Sequence, residues 1–252
     1  MPAEAPTLHI AARVTDRIQE NPKTITLVLD HAFPDARPGQ FCMLWLPGAD
    51  EKPFSIAGPD PLMFTVSRVG PFSEAVQALS PGDKLWVRGP FGASWTVARA
   101  RALLVGGGYG AAPLYFLARE LSGQKAGVET ALGGRTSADL LFADRFGGLG
   151  IPVHVATEDG SAGTAGRVTE IVEPLLSSGR FDRLYACGPE GMLEALAALC
   201  RKSGVPGELS HEAYMRCGVG ICGSCEHEAR LVCMDGPVFH VAAQAAADGA
   251  AP

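Results

Sequence analysis

Four cysteines near the end of the sequence have a spacing that suits iron chemistry. Cys217, Cys222, Cys225 and Cys233 form the pattern C-x4-C-x2-C-x7-C. A binuclear cluster needs four thiolates, two on each iron, and one bent loop can supply three of them. Glycines between these cysteines allow the backbone to bend sharply and to point N–H groups at sulfur. The motif therefore predicts a [2Fe–2S] centre held by these four residues.

A structural zinc site is the alternative interpretation of this loop. Plant-type ferredoxins carry C-x4-C-x2-C with a more distant fourth cysteine, whereas structural zinc sites usually use two close cysteine pairs. Only one close pair is present here, which favours the cluster. His211 and His227 lie near the loop, but four cysteines leave neither needed as a ligand. Cys42 and Cys200 fall in apolar segments and are expected to pack in the core.

A glycine-rich stretch, LLVGGGYGAAPL, indicates a second kind of site. Its glycines follow a buried strand and precede a helix, where a tight turn and a helix N-terminus can receive a dinucleotide phosphate. Two later loops, TEDGSAGTAG and ACGPEGM, also follow strands, although each alone could be an ordinary turn. The nucleotide-contacting residues predicted in these loops are Gly106, Gly107, Gly108, Gly110, Thr157, Asp159, Gly160, Cys187, Gly188 and Pro189.

Two kinds of scaffold are expected to position these motifs. Short β-rich runs separated by proline and glycine fill the first hundred residues and predict a small antiparallel barrel, interrupted by a helix at SEAVQAL with Ser73 as N-cap. Four strand–helix units then predict a parallel sheet whose loops meet at one edge. We expect a β-barrel at 1–99, an α/β nucleotide-binding domain at 100–205, a cysteine segment at 206–240 and a tail at 241–252.

Composition limits the classes of function. The net charge of −6 over 252 residues argues against non-specific nucleic-acid binding, which requires a basic face. The sequence has neither a secretory leader pattern nor an apolar run long enough for a membrane span. We therefore expect a cytoplasmic protein, where clustered cysteines more often bind metal than form disulfides.

Several motifs together resemble a known family. KPFSIAG, GPFG, GGGYGAAPL, YACGPEGM and the cysteine loop followed by DGPVF occur in the order found in ferredoxin-reductase-like flavoproteins. Residues 7–240 resemble in particular the electron-transfer subunits of class 1B dihydroorotate dehydrogenases. The resemblance implies an FAD-binding barrel, an NAD-binding α/β domain and a C-terminal [2Fe–2S] segment.

The resemblance also implies flavin contacts. These residues are Lys52, Pro53, Phe54, Ser55, Arg68, Gly70 and Ser73. Lys52 stands where the family has an arginine that faces phosphate, so the charge is kept and the bidentate fork is lost. Ser55 is expected near the isoalloxazine. Pro71 and Phe72 depart from the family's phosphate loop, and Arg68 is either a phosphate contact or an exposed strand residue.

The implied activity is electron transfer between NAD(H), FAD and the cluster. NADH gives two electrons as hydride, a cluster accepts one at a time, and a flavin does both; no acid–base residue is needed. The implied partner is an FMN-containing dihydroorotate dehydrogenase catalytic subunit, in a heterotetramer. A related subunit that serves a hydrogenase or a bifurcating transhydrogenase is a second interpretation, and a zinc-bearing, non-enzymatic interaction module is a third. NAD is favoured, although Arg135 could receive the 2′-phosphate of NADP.

Overall fold

The first part of the chain is a closed barrel. The computed structural model describes residues 8–124 and 127–243. The six antiparallel strands are β1 (Ile10–Asn21), β2 (Thr24–Leu29), β3 (Phe41–Leu46), β4 (Asp50–Pro59), β5 (Leu62–Ser67) and β6 (Lys84–Phe91), in the order β1-β2-β5-β4-β3-β6. In β5, buried residues alternate with partly exposed ones, as a strand with one core-facing side requires. The predicted barrel is confirmed, with helix α1 (Pro71–Gln77) crossing between β5 and β6.

The second part is a mainly parallel sheet covered by helices. Its elements are β7 (Ala102–Gly107), α2 (Ala111–Gly123), β8 (Val128–Gly134), α3 (Ala143–Gly148), β9 (Val153–Thr157), β10 (Thr164–Ala165), α4 (Val168–Ser177), β11 (Arg183–Cys187), α5 (Glu190–Ser203) and β12 (Gly207–Ser210), with short 3₁₀ turns at Gly108–Gly110 and Ser137–Asp139. Helix α2 buries Leu114, Leu117 and Leu121, which recur at the spacing that places them on one face. The predicted α/β architecture is confirmed.

The strand order creates a crevice next to β7. The sheet runs β10-β9-β8-β7-β11-β12, so the chain leaves β7 to one side and later returns to its other side at β11. Ligands of open α/β sheets bind beyond the carboxyl ends of the strands at such a reversal. The loops after β7 and β11 therefore flank the expected ligand position.

The cysteine segment connects both parts. It contains a two-stranded hairpin, β13 (Glu226–His227) and β14 (Arg230–Leu231), and a strand β15 (Val238–Val241) that pairs antiparallel with β12. Since β12 and β15 extend the parallel sheet, segment 206–240 shares that sheet, and the proposed domain boundaries remain predictions. Residues 1–7 and the predicted tail from 244 onward lie outside the described residues. No helix in the described ranges has the length and apolar character needed to cross a bilayer.

A separate apolar cluster joins the cysteine segment to the barrel. Phe41, Met43 and Phe91 of the barrel pack with Met215, Val232 and Phe239, together with Cys225 and Cys233. This packing fixes the cysteine loop against the end of the barrel strands.

Candidate cofactor cavity and cysteine loop

A cavity of about 540 Å³ lies where the barrel, the α/β sheet and the cysteine segment meet. Strands β4 and β5 and the start of α1 form one wall. The other wall is formed by the glycine turn after β7, by Cys187 at the end of β11, and by residues 210–213 and 215. The cavity therefore contacts all three predicted units, and its walls are mainly apolar with a few polar groups, as cofactor sites generally are.

The predicted KPFS stretch lines this cavity. Lys52, Pro53, Phe54 and Ser55 all contribute to the wall, as part of β4. The ammonium of Lys52 lies 2.6 Å from an Asp50 carboxylate oxygen and 4.9 Å from the ring centre of Tyr214. Lys52 is thus held at the rim by a carboxylate and an aromatic face, so it is a cation within reach of an anionic group entering the cavity.

The predicted phosphate loop has a different local structure from the one expected. Gly70 and Ser73 both line the cavity, whereas Arg68 is exposed and is not part of the lining. The prediction of Ser73 as N-cap is wrong, because α1 begins at Pro71 and Gly70 holds the capping position. Pro71 at the first helical position ends the loop earlier than the sequence suggested. The Ser73 hydroxyl accepts from the Gly70 and Val69 amides at 3.0 and 2.9 Å and donates to the Gly70 carbonyl at 2.8 Å.

The glycine turn and the ACGP loop contact each other through their backbones. A side-chain carbon at Gly110 would overlap the Cys187 carbonyl, and one at Gly107 would lie 2.8 Å from the Pro189 ring. Gly188 is equally confined, since an added carbon there would lie 3.0 Å from the Gly107 amide. Gly106 is buried one residue before the end of β7, and Gly108 has a φ of 53° in the left-handed region. Glycine is thus required here for close approach, and Gly110 and Cys187 also line the cavity.

Cys187 is a neutral thiol in this wall. Complete burial, assisted by the charge of Glu212, raises the pKa of its thiol to about 12. A neutral, poorly nucleophilic thiol fits a contact surface for a cofactor rather than a nucleophile.

The loop after β9 lies outside the cavity lining and is internally braced. The Thr157 hydroxyl donates to the Ala162 carbonyl at 2.8 Å and accepts from its amide at 3.0 Å. Asp159 accepts from the Ser161 hydroxyl and amide, which hold the pKa of its carboxyl below the usual value. Gly160 has a φ of 72°, as this turn requires. Ser161 in turn accepts from the Ser137 amide at 2.7 Å, so the loops after β8 and β9 form one surface.

The four cysteines lie on one compact loop. Backbone amides of Val219 and Cys222 point at the Cys217 sulfur at 3.5 Å, and the Gly220 amide points at the Cys233 sulfur at 3.3 Å. Gly218, Gly220 and Gly223 all have φ between 71° and 76°, which lets the chain curl around the sulfurs. Cys225 and Cys233 are buried and Cys222 is exposed, so the loop has one face toward the protein and one toward solvent.

The cysteine loop has the donors and the inward-pointing amides that a [2Fe–2S] cluster needs. A tetrahedral zinc site with Zn–S bonds of about 2.3 Å places all its sulfurs roughly 3.8 Å apart. In the described part of the chain, no three of these cysteine sulfurs all lie within 4.8 Å of one another. Four thiolates divided into pairs across two irons need no such triple, and the inward-pointing amides suit the negative charge of a cluster.

Several cavity residues were not predicted from the sequence. Thr65 and Ser67 line it from β5, and the alternation of that strand was a usable signal for them. Tyr109 and Glu212 also line it, and the Tyr109 hydroxyl donates to a Glu212 carboxylate oxygen at 3.1 Å. Burial raises the pKa of the Tyr109 hydroxyl and of the Glu212 carboxyl. Their contact spans 103 residues of sequence, so no local pattern could indicate it.

The cavity and the cysteine loop share a wall. Met215 lines the cavity and also packs in the apolar cluster that contains Cys225 and Cys233. Phe41 of the barrel also lines the cavity and belongs to this cluster. The cavity wall and the buried side of the cysteine loop therefore belong to one packed cluster.

Comparison with known proteins identifies relatives over most of the chain. Residues 212–243 match the profile of the iron-sulfur cluster binding domain of dihydroorotate dehydrogenase B. A Methanocaldococcus jannaschii protein named "Probable dihydroorotate dehydrogenase B (NAD(+)), electron transfer subunit" is 41% identical over 232 residues, covering 91% of this chain and 89% of its own. One of the same name from Methanopyrus kandleri is 43% identical over 234 residues, with coverage of 91% and 89%.

Solved structures give the same fold. An NADH-dependent reduced ferredoxin-NADP oxidoreductase, studied for flavin-based electron bifurcation, is similar with a TM-score of 0.81 and 29% identity, covering 95% of this chain and 90% of its own. The flavohem-like FAD/NAD binding domain of nitric oxide dioxygenase from Vibrio cholerae has a TM-score of 0.68 and 22% identity, with coverage of 77% and 93%. At that identity the second likeness concerns the fold alone.

Proposed function

Because the chain belongs to the family of dihydroorotate dehydrogenase B (NAD(+)) electron transfer subunits, we propose that it carries electrons between NAD(H) and a separate catalytic subunit in the cytoplasm. The proposed cofactors are FAD in the cavity and a [2Fe–2S] cluster on the cysteine loop, with NAD(H) at the sheet edge beside β7. The proposed partner is an FMN-containing dihydroorotate dehydrogenase subunit, joined in a heterotetramer. Together they would oxidise dihydroorotate to orotate for pyrimidine synthesis, with NAD⁺ as acceptor.

One observation carries this proposal. The cavity is lined by the barrel, by the glycine turn and Cys187, and by Met215, which belongs to the same apolar cluster as Cys225 and Cys233. A cofactor in that position adjoins both the nucleotide loops and the cysteine loop. An electron carrier between a nicotinamide and an iron-sulfur cluster requires this arrangement.

The chain's own residues would bind and orient the cofactors. Lys52 supplies positive charge at the rim for a phosphate, and the Ser55 hydroxyl offers a hydrogen bond to the flavin ring. Gly107 and Gly110 let the nucleotide backbone approach closely beside the N-terminus of α2. A bound flavin supplies the ability to exchange electrons in pairs with a nicotinamide and singly with a cluster, which no side chain provides. No side chain has to donate or accept a proton in this scheme.

The exposed face of the cysteine loop is the proposed docking surface for the catalytic subunit. Ile221 is 84% exposed and Met234 is 57% exposed, and both adjoin proposed cluster ligands in the sequence. Exposed apolar side chains around a redox centre favour contact with another protein. Cys222, also exposed, makes this the side from which an electron would enter or leave.

The test is reconstitution with the catalytic subunit encoded in the same genome. We expect the two chains to co-purify and to form orotate and NADH in equal amounts from dihydroorotate and NAD⁺. An I221K/M234K variant should lower this activity at least about tenfold by removing apolar contact at the centre of the interface. An L8K variant, which alters an exposed leucine preceding the barrel, is the matched control and should retain the activity.

Two results would contradict the proposal. A folded complex that binds both cofactors but reduces no NAD⁺ with dihydroorotate would exclude the pyrimidine role. Equal activity of the I221K/M234K variant and the wild type would exclude the docking surface. Visible spectra and Tm values of both variants check that each is folded and loaded.

A bifurcating transhydrogenase subunit is the second candidate function. The similarity to the NADH-dependent reduced ferredoxin-NADP oxidoreductase extends over nearly the whole chain, which favours this candidate over a hydrogenase subunit or a non-enzymatic module. Reduction of the flavin by NADPH, or coupled reduction of a ferredoxin, would support this candidate instead. Reduction by NADH alone, together with dihydroorotate activity in the complex, would reject it.

A further inference from the structure

Three potential metal ligands from separate segments converge beside the four cysteines. They are Glu190 at the first position of α5, His211 just after β12, and His227 in β13. One ligand atom from each lies within 4.8 Å of those of the other two. The convergence follows from the sheet, because Cys187 and Ser210 are paired residues in β11 and β12, and the chain leaves both strands at the same edge.

A buried nitrogen in this group lacks a hydrogen-bond partner. The Nδ1 atom of His211 is inaccessible to solvent and makes no hydrogen bond. Its nearest charged neighbour is a Glu190 carboxylate oxygen at 3.4 Å, in an orientation that does not make a hydrogen bond. Buried polar atoms in folded proteins are nearly always paired, so this unpaired nitrogen is a candidate ligand atom.

Aromatic packing holds the His211 and His227 imidazoles in place. The rings of His211 and His227 lie 4.9 Å apart, and the buried Phe239 ring packs against both, at 5.7 and 6.2 Å. Arg230 covers Phe239 with its guanidinium 4.2 Å from the ring centre. The two imidazoles therefore have little freedom to turn away from each other.

We propose that Glu190, His211 and His227 bind a zinc ion, with a water molecule as the fourth ligand. Two imidazoles and one carboxylate are a ligand set that zinc uses in proteins, whereas magnesium and calcium prefer oxygen ligands alone. Bonds of about 2.0–2.2 Å in a tetrahedral site place ligand atoms roughly 3.3–3.6 Å apart, so closure from 4.8 Å requires movements of about 1 Å. The Glu190 side chain is half exposed and can make that movement while admitting the ion and its water.

The proposed site would join two functional regions. Glu190 begins the helix that follows the ACGP loop, and His227 lies two residues beyond Cys225 in the hairpin of the cysteine segment. A metal bound by both would tie that hairpin to the nucleotide-binding sheet. This role adds a metal centre to the proposed electron carrier and does not depend on its partner.

The test measures zinc in the full chain loaded with flavin and cluster. After equilibration with buffered zinc, we expect about one zinc per chain in addition to the iron, and X-ray absorption at the zinc edge should show only N/O ligands near 2.0–2.1 Å. H211Q and E190Q should each weaken zinc binding at least about tenfold, since even residues behind the ligands have effects of that size. Iron and acid-labile sulfide contents are measured in every variant to confirm an intact cluster.

A second histidine–glutamate pair provides the control. His154 lies 2.7 Å from Glu129 elsewhere on the sheet, so H154Q removes a comparable histidine–carboxylate contact and should leave zinc binding unchanged. E190Q keeps the test valid if H211Q does not fold, because Glu190 is half exposed. Absence of bound zinc, a sulfur shell near 2.3 Å, or equal zinc binding in wild type and E190Q would overturn the proposal.

Discussion

Gly110 packs directly against the main-chain carbonyl of Cys187, with no room for even one side-chain carbon between them. The contact exists because β7 and β11 are neighbouring parallel strands, with Gly106 paired to Cys187. It joins the glycine turn to the ACGP loop at the point where the strand order reverses. The two loops can therefore present their backbones to one ligand.

Substitution of Gly110 by alanine tests this contact. The backbone at Gly110 has φ −62° and ψ −14°, which any residue adopts, so the effect of G110A is purely steric. We expect a loss of about 1–3 kcal/mol in the free energy of unfolding, as for other overpacked sites, and slower flavin reduction by NADH. Thermal unfolding and stopped-flow absorbance measure these effects.

The control for G110A is G191A, in the first turn of α5. An added carbon at Gly191 meets no atom within 4 Å. Alanine there is expected to leave flavin reduction unchanged and to stabilise the helix by up to about 1 kcal/mol. Equal effects of the two variants would mean that the contact with Cys187 has no special importance.

Lys52 is predicted to contribute charge to FAD binding. K52A should weaken FAD affinity about tenfold or more, because a hydrogen bond to a charged group contributes about 1.5–3 kcal/mol. K52R should keep most of the FAD affinity, because the positive charge is retained and the arginine guanidinium adds a second N–H donor. Equilibrium binding of FAD to the apoprotein measures both.

Lys202 supplies the matched control for this experiment. It is an exposed lysine on α5 paired with Glu173 at 2.7 Å, and it is not part of the cavity lining. K202A should bind FAD like the wild type. Wild-type affinity in K52A would show that Lys52 serves only its ion pair with Asp50.

The Glu212 carboxyl should make stability pH-dependent. Burial raises its pKa in the folded state, and the hydrogen bond from Tyr109 opposes that shift only in part. Because the pKa is raised in the folded state, the unfolded chain loses this proton at a lower pH than the folded chain does. The contribution of Glu212 to the free energy of unfolding is therefore fully present below about pH 4.5 and is lost as the pH rises through the folded pKa. E212Q removes the titration while keeping an acceptor for Tyr109.

The measurement is the Tm difference between E212Q and the wild type across pH. The variant is expected to gain in Tm relative to the wild type from about pH 5 to about pH 8, with the larger advantage at the higher pH. A constant difference over this range would contradict a raised pKa for Glu212.

Features encoded locally were predictable from the sequence. The barrel, the alternating strand–helix units and the curled cysteine loop each depend on turn glycines and on hydrophobic periodicity within short segments. The KPFS stretch and Gly110 were expected at a cofactor site and line the cavity. Burial of Cys42 and Cys200 is confirmed, since each lies in an apolar strand or helix.

Features that depend on distant pairing were not predictable. The pairing of β12 with both β11 and β15 brings the segment after Ser210 into the cavity wall. The Tyr109–Glu212 contact and the Glu190–His211–His227 group both result from that topology. The N-cap prediction for Ser73 fails for a local reason, because Pro71 starts the helix two residues before the serine.

The most direct test of the electron-transfer role is metal and sulfide analysis of the anaerobically purified full-length chain. We expect about two irons and two acid-labile sulfides per chain. We also expect an electron paramagnetic resonance signal on reduction, and loss of all three when Cys217 or Cys233 is replaced by alanine. Protein that contains zinc at the cysteines, with neither iron nor sulfide even after reconstitution, would contradict a cluster at this loop and the electron transfer that depends on it.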